Sequence, residues 1–159
     1  MVPNLQFICL LFKMEKQLHA TCISVNNRGI LIKGPSGSGK SDLALRLIND
    51  GAHLIADDRV IIKQQNTLLL ASPPNSLSGL IEVRGIGIVK LHFQKSCAIS
   101  LVISLVTPEK LSRLPKKQHI KIFGIKLPMI HLAAFETSTV TKVHLALSIE
   151  NGDIIRQDD

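Results

Sequence analysis

Short apolar runs rich in β-branched residues, broken by glycine and asparagine turns, dominate the chain, and helical spacing is confined to two stretches. Residues 20–25 (ATCISV) and 29–33 (GILIK) flank Asn26-Asn27-Arg28-Gly29 and predict two strands joined by a hairpin turn. Residues 34–39 form a glycine-rich turn. In residues 41–49 (SDLALRLIN), Leu43, Leu47 and Ile48 fall at helical spacing, and Gly51 supplies the stop. Further strands are expected at 53–56, 60–63 and 67–71, followed by a break at Ser72-Pro73-Pro74-Asn75. Residues 80–84 lead into Gly85-Ile86-Gly87-Ile88-Val89, where the spaced glycines predict a tight turn. Residues 98–106 (AISLVISLV), bounded by Pro108, read as a buried central strand. Residues 120–123 and 125–130 form an apolar pair about Gly124, interrupted by Pro128, and 138–150 close the pattern as a helix.

A length of 159 residues suits one domain with an ordinary core. With 45% apolar and 19% charged residues, the composition excludes disordered, collagen-like and coiled-coil chains. No apolar run reaches the roughly 18 residues of a membrane-spanning helix. FICLLF, at 7–12, lacks the basic flank and cleavage site of a signal peptide. Residues 1–13 are therefore expected to be a loose or non-native arm, with Met14 as an alternative start, and 14–159 the one folded domain. Cys9, Cys22 and Cys97 are odd in number and share no short spacing, so no disulfide framework or zinc site is expected and a reducing cytoplasm fits best. The net charge of +7 favours acidic or phosphorylated partners. With no Trp or Tyr and five Phe, a stacking platform for nucleic acid is not expected. Lys110, Arg113, Lys116, Lys117, Lys121 and Lys126 form the densest basic stretch, a docking face for an acidic protein.

The chemistry concentrates in Gly34-Pro35-Ser36-Gly37-Ser38-Gly39-Lys40-Ser41, a full GxxxxGK[ST] pattern after a predicted strand and opening a predicted helix. Such a loop turns backbone N–H groups inward to cradle phosphate, and the positive helix end adds to the attraction. Lys40 is expected to reach the β- and γ-phosphates and Ser41 to ligate Mg²⁺. Asp57-Asp58 follows an apolar run, at the carboxyl end of a strand, where ligands gather in open α/β sheets. Strand alternation predicts that the two carboxylates point apart, one working near the magnesium and the other toward the acceptor. Glu82 and Arg84, two apart in LIEVRG, are expected on one strand face, where a carboxylate can aid Mg²⁺ and a guanidinium neutralise phosphoryl charge. From the residues alone, His19 and Arg113 read as surface groups.

Taken together, these segments resemble the bifunctional HPr kinase/phosphorylase family, whose members phosphorylate a serine of a small phosphocarrier protein. The likeness runs from about His19 to Val89, more loosely to Ile130, and rests on His19, GPSGSGKS, HLIADDRV and IEVRGIGIV, the last similar to a signature of the type [IL]-E-[IV]-R-G-[IL]-G. The resemblance implies a P-loop, PEP carboxykinase-like α/β domain with a mixed sheet flanked by helices. It also implies His19, Lys40, Asp58 and Arg113 as catalytic, with Ser41 and Glu82 on Mg²⁺. Residues 34–41 would then hold ATP, with Asp57, Arg84, Gly85 and Gly87 in support. It further implies an HPr-like substrate of the phosphotransferase system and a homo-oligomer, a hexamer by family analogy, acting in the cytoplasm.

The likeness is to the short, catalytic-domain-only form. It departs after Leu127-Pro128, where a basic PVRPGRN-like segment is replaced by MIHLAAFETSTVTK, so the phosphorylase direction is left open. Two other readings share the loop: a small-metabolite kinase and a non-catalytic adenine-nucleotide sensor.

Overall fold

The computed structural model describes residues 14–158; the expected arm at 1–13 lies outside them. The strands are β1 (Glu15–His19), β2 (Thr21–Val25), β3 (Arg28–Lys33), β4 (His53–Ala56), β5 (Arg59–Gln65), β6 (Leu68–Ser72), β7 (Leu80–Val83), β8 (Gly87–Lys90), β9 (Cys97–Leu105), β10 (Gln118–Ile122) and β11 (Ile125–Leu132). Helix α1 (Lys40–Asn49) follows β3, and α2 (Thr139–Glu150) closes the fold.

Among the described residues, nine strands form one mixed sheet in the order β1-β5-β6-β9-β3-β2-β4, with β11 also on β9 and β10 on β11; β7 and β8 form a separate hairpin. Strand β9 is the hub: it runs parallel to β3, meets β6 through Cys97 and Ala98, and meets β11 from Val102 to Leu105. Pro128 stands one residue before the β11 ladder to β9 begins at Met129, so the strand runs through a residue that has no N–H to donate.

Alternation along β3 divides the core. Ile30 and Ile32 pack with Leu43 and Leu47 of α1 and Val143 and Leu147 of α2, while Leu31 turns to Val60, Ile62, Leu69, Ile122 and Leu127. The pairing of Gly29 with Ile99 but Ile30 with Leu101 leaves an extra residue in β9, and this bulge sends Ile99 to one cluster and Leu101 to the other. Gly29 is required here, since a Cβ would stand 2.7 Å from the Ala98 carbonyl oxygen.

Most expected elements thus recur with small boundary changes; β8 is a strand where only a turn was expected, and two further points differ from the sequence reading. The segment before Ala20 is a strand, β1, paired antiparallel to β5; its sequence EKQLH is almost wholly exposed and carries no apolar alternation. As expected for a mixed sheet with flanking helices, both helices pack on the sheet; they share one cluster, and the other face is closed by the sheet's own curled strands. Arg84 lies beyond the end of β7, in the turn, so strand alternation does not set its direction relative to Glu82.

Candidate functional site

Strand β3 delivers the chain into the glycine loop at Gly34, and α1 begins at Lys40. Gly39, at φ 96°, is the helix N-cap, a left-handed conformation that suits a residue without a Cβ. Space demands glycine here as well: a Cβ would lie 2.7 Å from that of Ala134 and 2.8 Å from Cζ of Phe135. Pro35, Ser36 and Gly37 are exposed at the loop's crest, while Lys40 is buried. Its Nζ donates to the carbonyl oxygens of Gly34 at 2.8 Å and Pro35 at 2.9 Å. Desolvation lowers the Lys40 pKa from the usual lysine value, and the Asp57 and Asp58 carboxylates oppose that shift.

Asp57, only 4% exposed, organises the floor. Its Oδ1 accepts the Ser41 hydroxyl at 2.7 Å and the Thr21 hydroxyl at 2.8 Å, and its Oδ2 accepts the Glu82 backbone N–H at 3.3 Å. Topology explains this convergence. Strand β2 lies between β3 and β4 and is antiparallel to both, so its first residue, Thr21, stands at the end where the loop and Asp57 emerge. Thr21 was not singled out from sequence, because a threonine in an apolar strand gives no local sign that its hydroxyl meets a carboxylate 36 residues away.

Asp58 has a separate position. The two carboxylates part at a bend after β4, where Asp58 takes φ 63°, and not by strand alternation as expected. Its Oδ1 lies 3.0 Å from His19 Nε2, with the aspartate side chain 64% and the histidine 44% exposed. The end of β1 and the bend after β4 are tied by the Ala20 N–H, which donates to the Asp58 carbonyl at 3.2 Å.

The structure thus joins the Ser41 hydroxyl and the Glu82 backbone N–H to Asp57, without a hydrogen bond to the Glu82 carboxylate among the described residues, and pairs His19 with Asp58. Glu82 is exposed on β7, and Arg84, Gly85 and Gly87 lie in and at the end of the exposed β7–β8 turn. Arg113 is not brought to the loop. It lines a cavity of about 870 Å³ between the 106–119 segment, β11 and α2, across Val106 and Lys110 from another of about 580 Å³ that opens beside Pro35, Gly37 and Ser38.

The donor set fits a hard divalent cation. Among the described residues no three His, Cys, Asp or Glu side chains cluster as a metal cage. A serine hydroxyl beside a buried carboxylate is instead the sparse oxygen set that suits Mg²⁺ when phosphates and water complete its shell.

A parallel β3–β9 pair, a glycine loop, a helix N-terminus and a buried carboxylate on the loop's serine together define the phosphate-binding-loop class of α/β domains. Within that class the chain belongs to the HPr Serine kinase C-terminal domain family, whose sequence model matches residues 11–150. It is 30% identical over 145 residues to an HPr kinase/phosphorylase of Chlorobaculum tepidum, covering 83% of this chain and 42% of that protein. It is 38% identical over 129 residues to the Lacticaseibacillus casei enzyme of the same name, covering 73% and 40%. The chain therefore spans about two fifths of the length of these relatives. Among solved structures, the Hpr(Ser) kinase/phosphatase from Coxiella burnetii superposes with a TM-score of 0.72 at 31% identity, covering 83% of this chain and 97% of that one. The PEP carboxykinase-like α/β fold expected from the sequence is thus the fold observed.

Proposed function

We propose that this domain is an ATP- and Mg²⁺-dependent serine kinase acting on an HPr-like phosphocarrier protein. The observation that carries the reading is the separation of the two aspartates: Asp57 is buried on the loop's serine, while Asp58 stands exposed beside His19. A carboxylate open to solvent suits a hydroxyl presented on a protein surface better than a small metabolite enclosed by a lid. Ile86 and Ile88, 79% and 74% exposed on the neighbouring hairpin, add an apolar edge against which a protein can rest.

In this mechanism Lys40 leaves the Gly34 and Pro35 carbonyls for the β- and γ-phosphate oxygens, and the loop N–H groups hold the rest of the tail. Ser41 and the Asp57 carboxylate, with Glu82 as the family resemblance assigns it, would hold Mg²⁺, which neutralises charge on the phosphates when bound. Asp58 accepts the proton of the incoming serine hydroxyl. The serine oxygen bonds to the γ-phosphorus as the bond to the leaving ADP oxygen breaks, and His19 holds the Asp58 carboxylate in place.

Family kinship supports the carrier protein as substrate; the working assembly in this reading is an oligomer, a hexamer by analogy. Cys22 and Cys97 are buried free thiols, which accords with a reducing cytoplasm, and no described helix is long and apolar enough to cross a membrane. Incubation with ATP, Mg²⁺ and purified carrier protein, followed by intact-mass measurement, tests the proposal. One phosphate gained on a serine is expected, and its loss on adding inorganic phosphate would establish the phosphorylase direction. An unchanged carrier mass overturns the protein-serine kinase assignment.

A further inference from the structure

The 580 Å³ cavity beside the loop is walled by Pro35, Gly37 and Ser38 on one side, the end of β9 on another, and Ala133, Ala134 and Phe135 on a third, with mostly apolar surface. Phe135 is 71% exposed, yet its ring edge lies against Gly39, where a Cβ would come within 2.8 Å of it. The backbone carrying this ring is held from both sides. Thr139 donates its hydroxyl to the Ala133 carbonyl at 2.6 Å, and Arg46 of α1 donates to the Ala134 carbonyl. Ser38 Oγ, in the same wall, is a buried side-chain polar atom without a hydrogen-bond partner. A solvent-facing aromatic ring on a tethered backbone, at the edge of a phosphate loop, serves no core.

We propose that this cavity receives the purine base of the nucleotide and that Phe135 stacks on the base. The inference rests on the loop holding the triphosphate tail, and assigns the ligand's other end. Base–aromatic stacking is worth about 1–3 kcal/mol, so Phe135→Ala is expected to weaken ATP binding by about 5- to 150-fold. The affinity for inorganic tripolyphosphate, which has no base, should not change. Because the chain has no Trp, Phe135→Trp supplies a single indole fluorophore. This variant should retain ATP binding, and its emission should be quenched by ATP but not by tripolyphosphate. Equal loss of both ligands in Phe135→Ala, unchanged ATP affinity in that variant, or an indole signal indifferent to ATP overturns the base site while leaving the loop reading intact. Failure of the wild-type chain to bind either ligand with Mg²⁺ overturns the loop reading itself, and the base site with it.

Discussion

The Ser41 hydroxyl donates to the buried Asp57 carboxylate at 2.7 Å, and that oxygen also accepts Thr21. Asp57→Asn keeps an acceptor for both hydroxyls but removes the charge. Magnesium-dependent nucleotide affinity is expected to fall about 10- to 100-fold, with the magnesium-independent part little changed. Titrations with and without Mg²⁺ measure the difference, and an unaltered magnesium dependence would remove Asp57 from the cation site.

Asp58 and His19 meet at 3.0 Å away from that floor. Asp58→Asn should lower the phosphoryl-transfer rate by about 10² to 10⁴ while nucleotide affinity holds, because a positioned base acts only on the chemical step. His19→Ala should give a smaller loss in the same rate. Single-turnover kinetics with saturating ATP is the measurement; a wild-type rate in Asp58→Asn would refute its role.

Lys40 gives a pH dependence with a definite sign. Desolvation lowers its pKa below the usual lysine value. Between the folded and unfolded pKa values the unfolded chain binds more protons, so this group's contribution to stability rises with pH there. Phosphate affinity runs the other way: it is present while Lys40 is charged and is lost as pH rises through the lowered pKa. A bound polyphosphate favours the ammonium, so binding near that pH should take up protons. Calorimetry in buffers of different ionisation enthalpy detects this uptake, and a buffer-independent enthalpy would contradict it.

Arg113 lines the larger cavity and not the loop's own. Arg113→Ala should therefore leave ATP affinity unchanged and raise KM for the carrier protein. A fall in kcat at saturating carrier, with KM unaltered, would instead place the guanidinium on the transferring phosphoryl group.

Stability should respond most at β3. Leu31 is fully buried between β2 and β9, and Leu31→Ala is expected to cost about 2–5 kcal/mol. Gly29→Ala, which drives a methyl into the Ala98 carbonyl, should cost about 1–3 kcal/mol. Denaturant unfolding gives both values.

The parts of this site that were legible in the sequence are those whose chemistry is local. The glycine loop announces itself because its backbone needs, its lysine and its helix lie within a few residues, and β9 because AISLVISLV can only be core. Strand β1 was invisible because an exposed edge strand carries no apolar alternation; its pairing with β5 supplies what EKQLH does not. Thr21 and the backbone N–H of Glu82 escaped for another reason. Their partner Asp57 is distant in sequence, and only the strand order sets them beside it. The parting of Asp57 and Asp58 was foreseen with the wrong cause, since a left-handed residue at Asp58 and not the pleat directs them.

The ammonium of Lys40 rests on two carbonyl oxygens of its own loop and so ties the first residue of α1 back to the turn that precedes it. An entering guest must therefore outbid two neutral dipoles already in contact. On the reading proposed above, a lone monoanion should gain little by that exchange and a chain of charged oxygens more, so affinity should climb with the number of charges on the ligand.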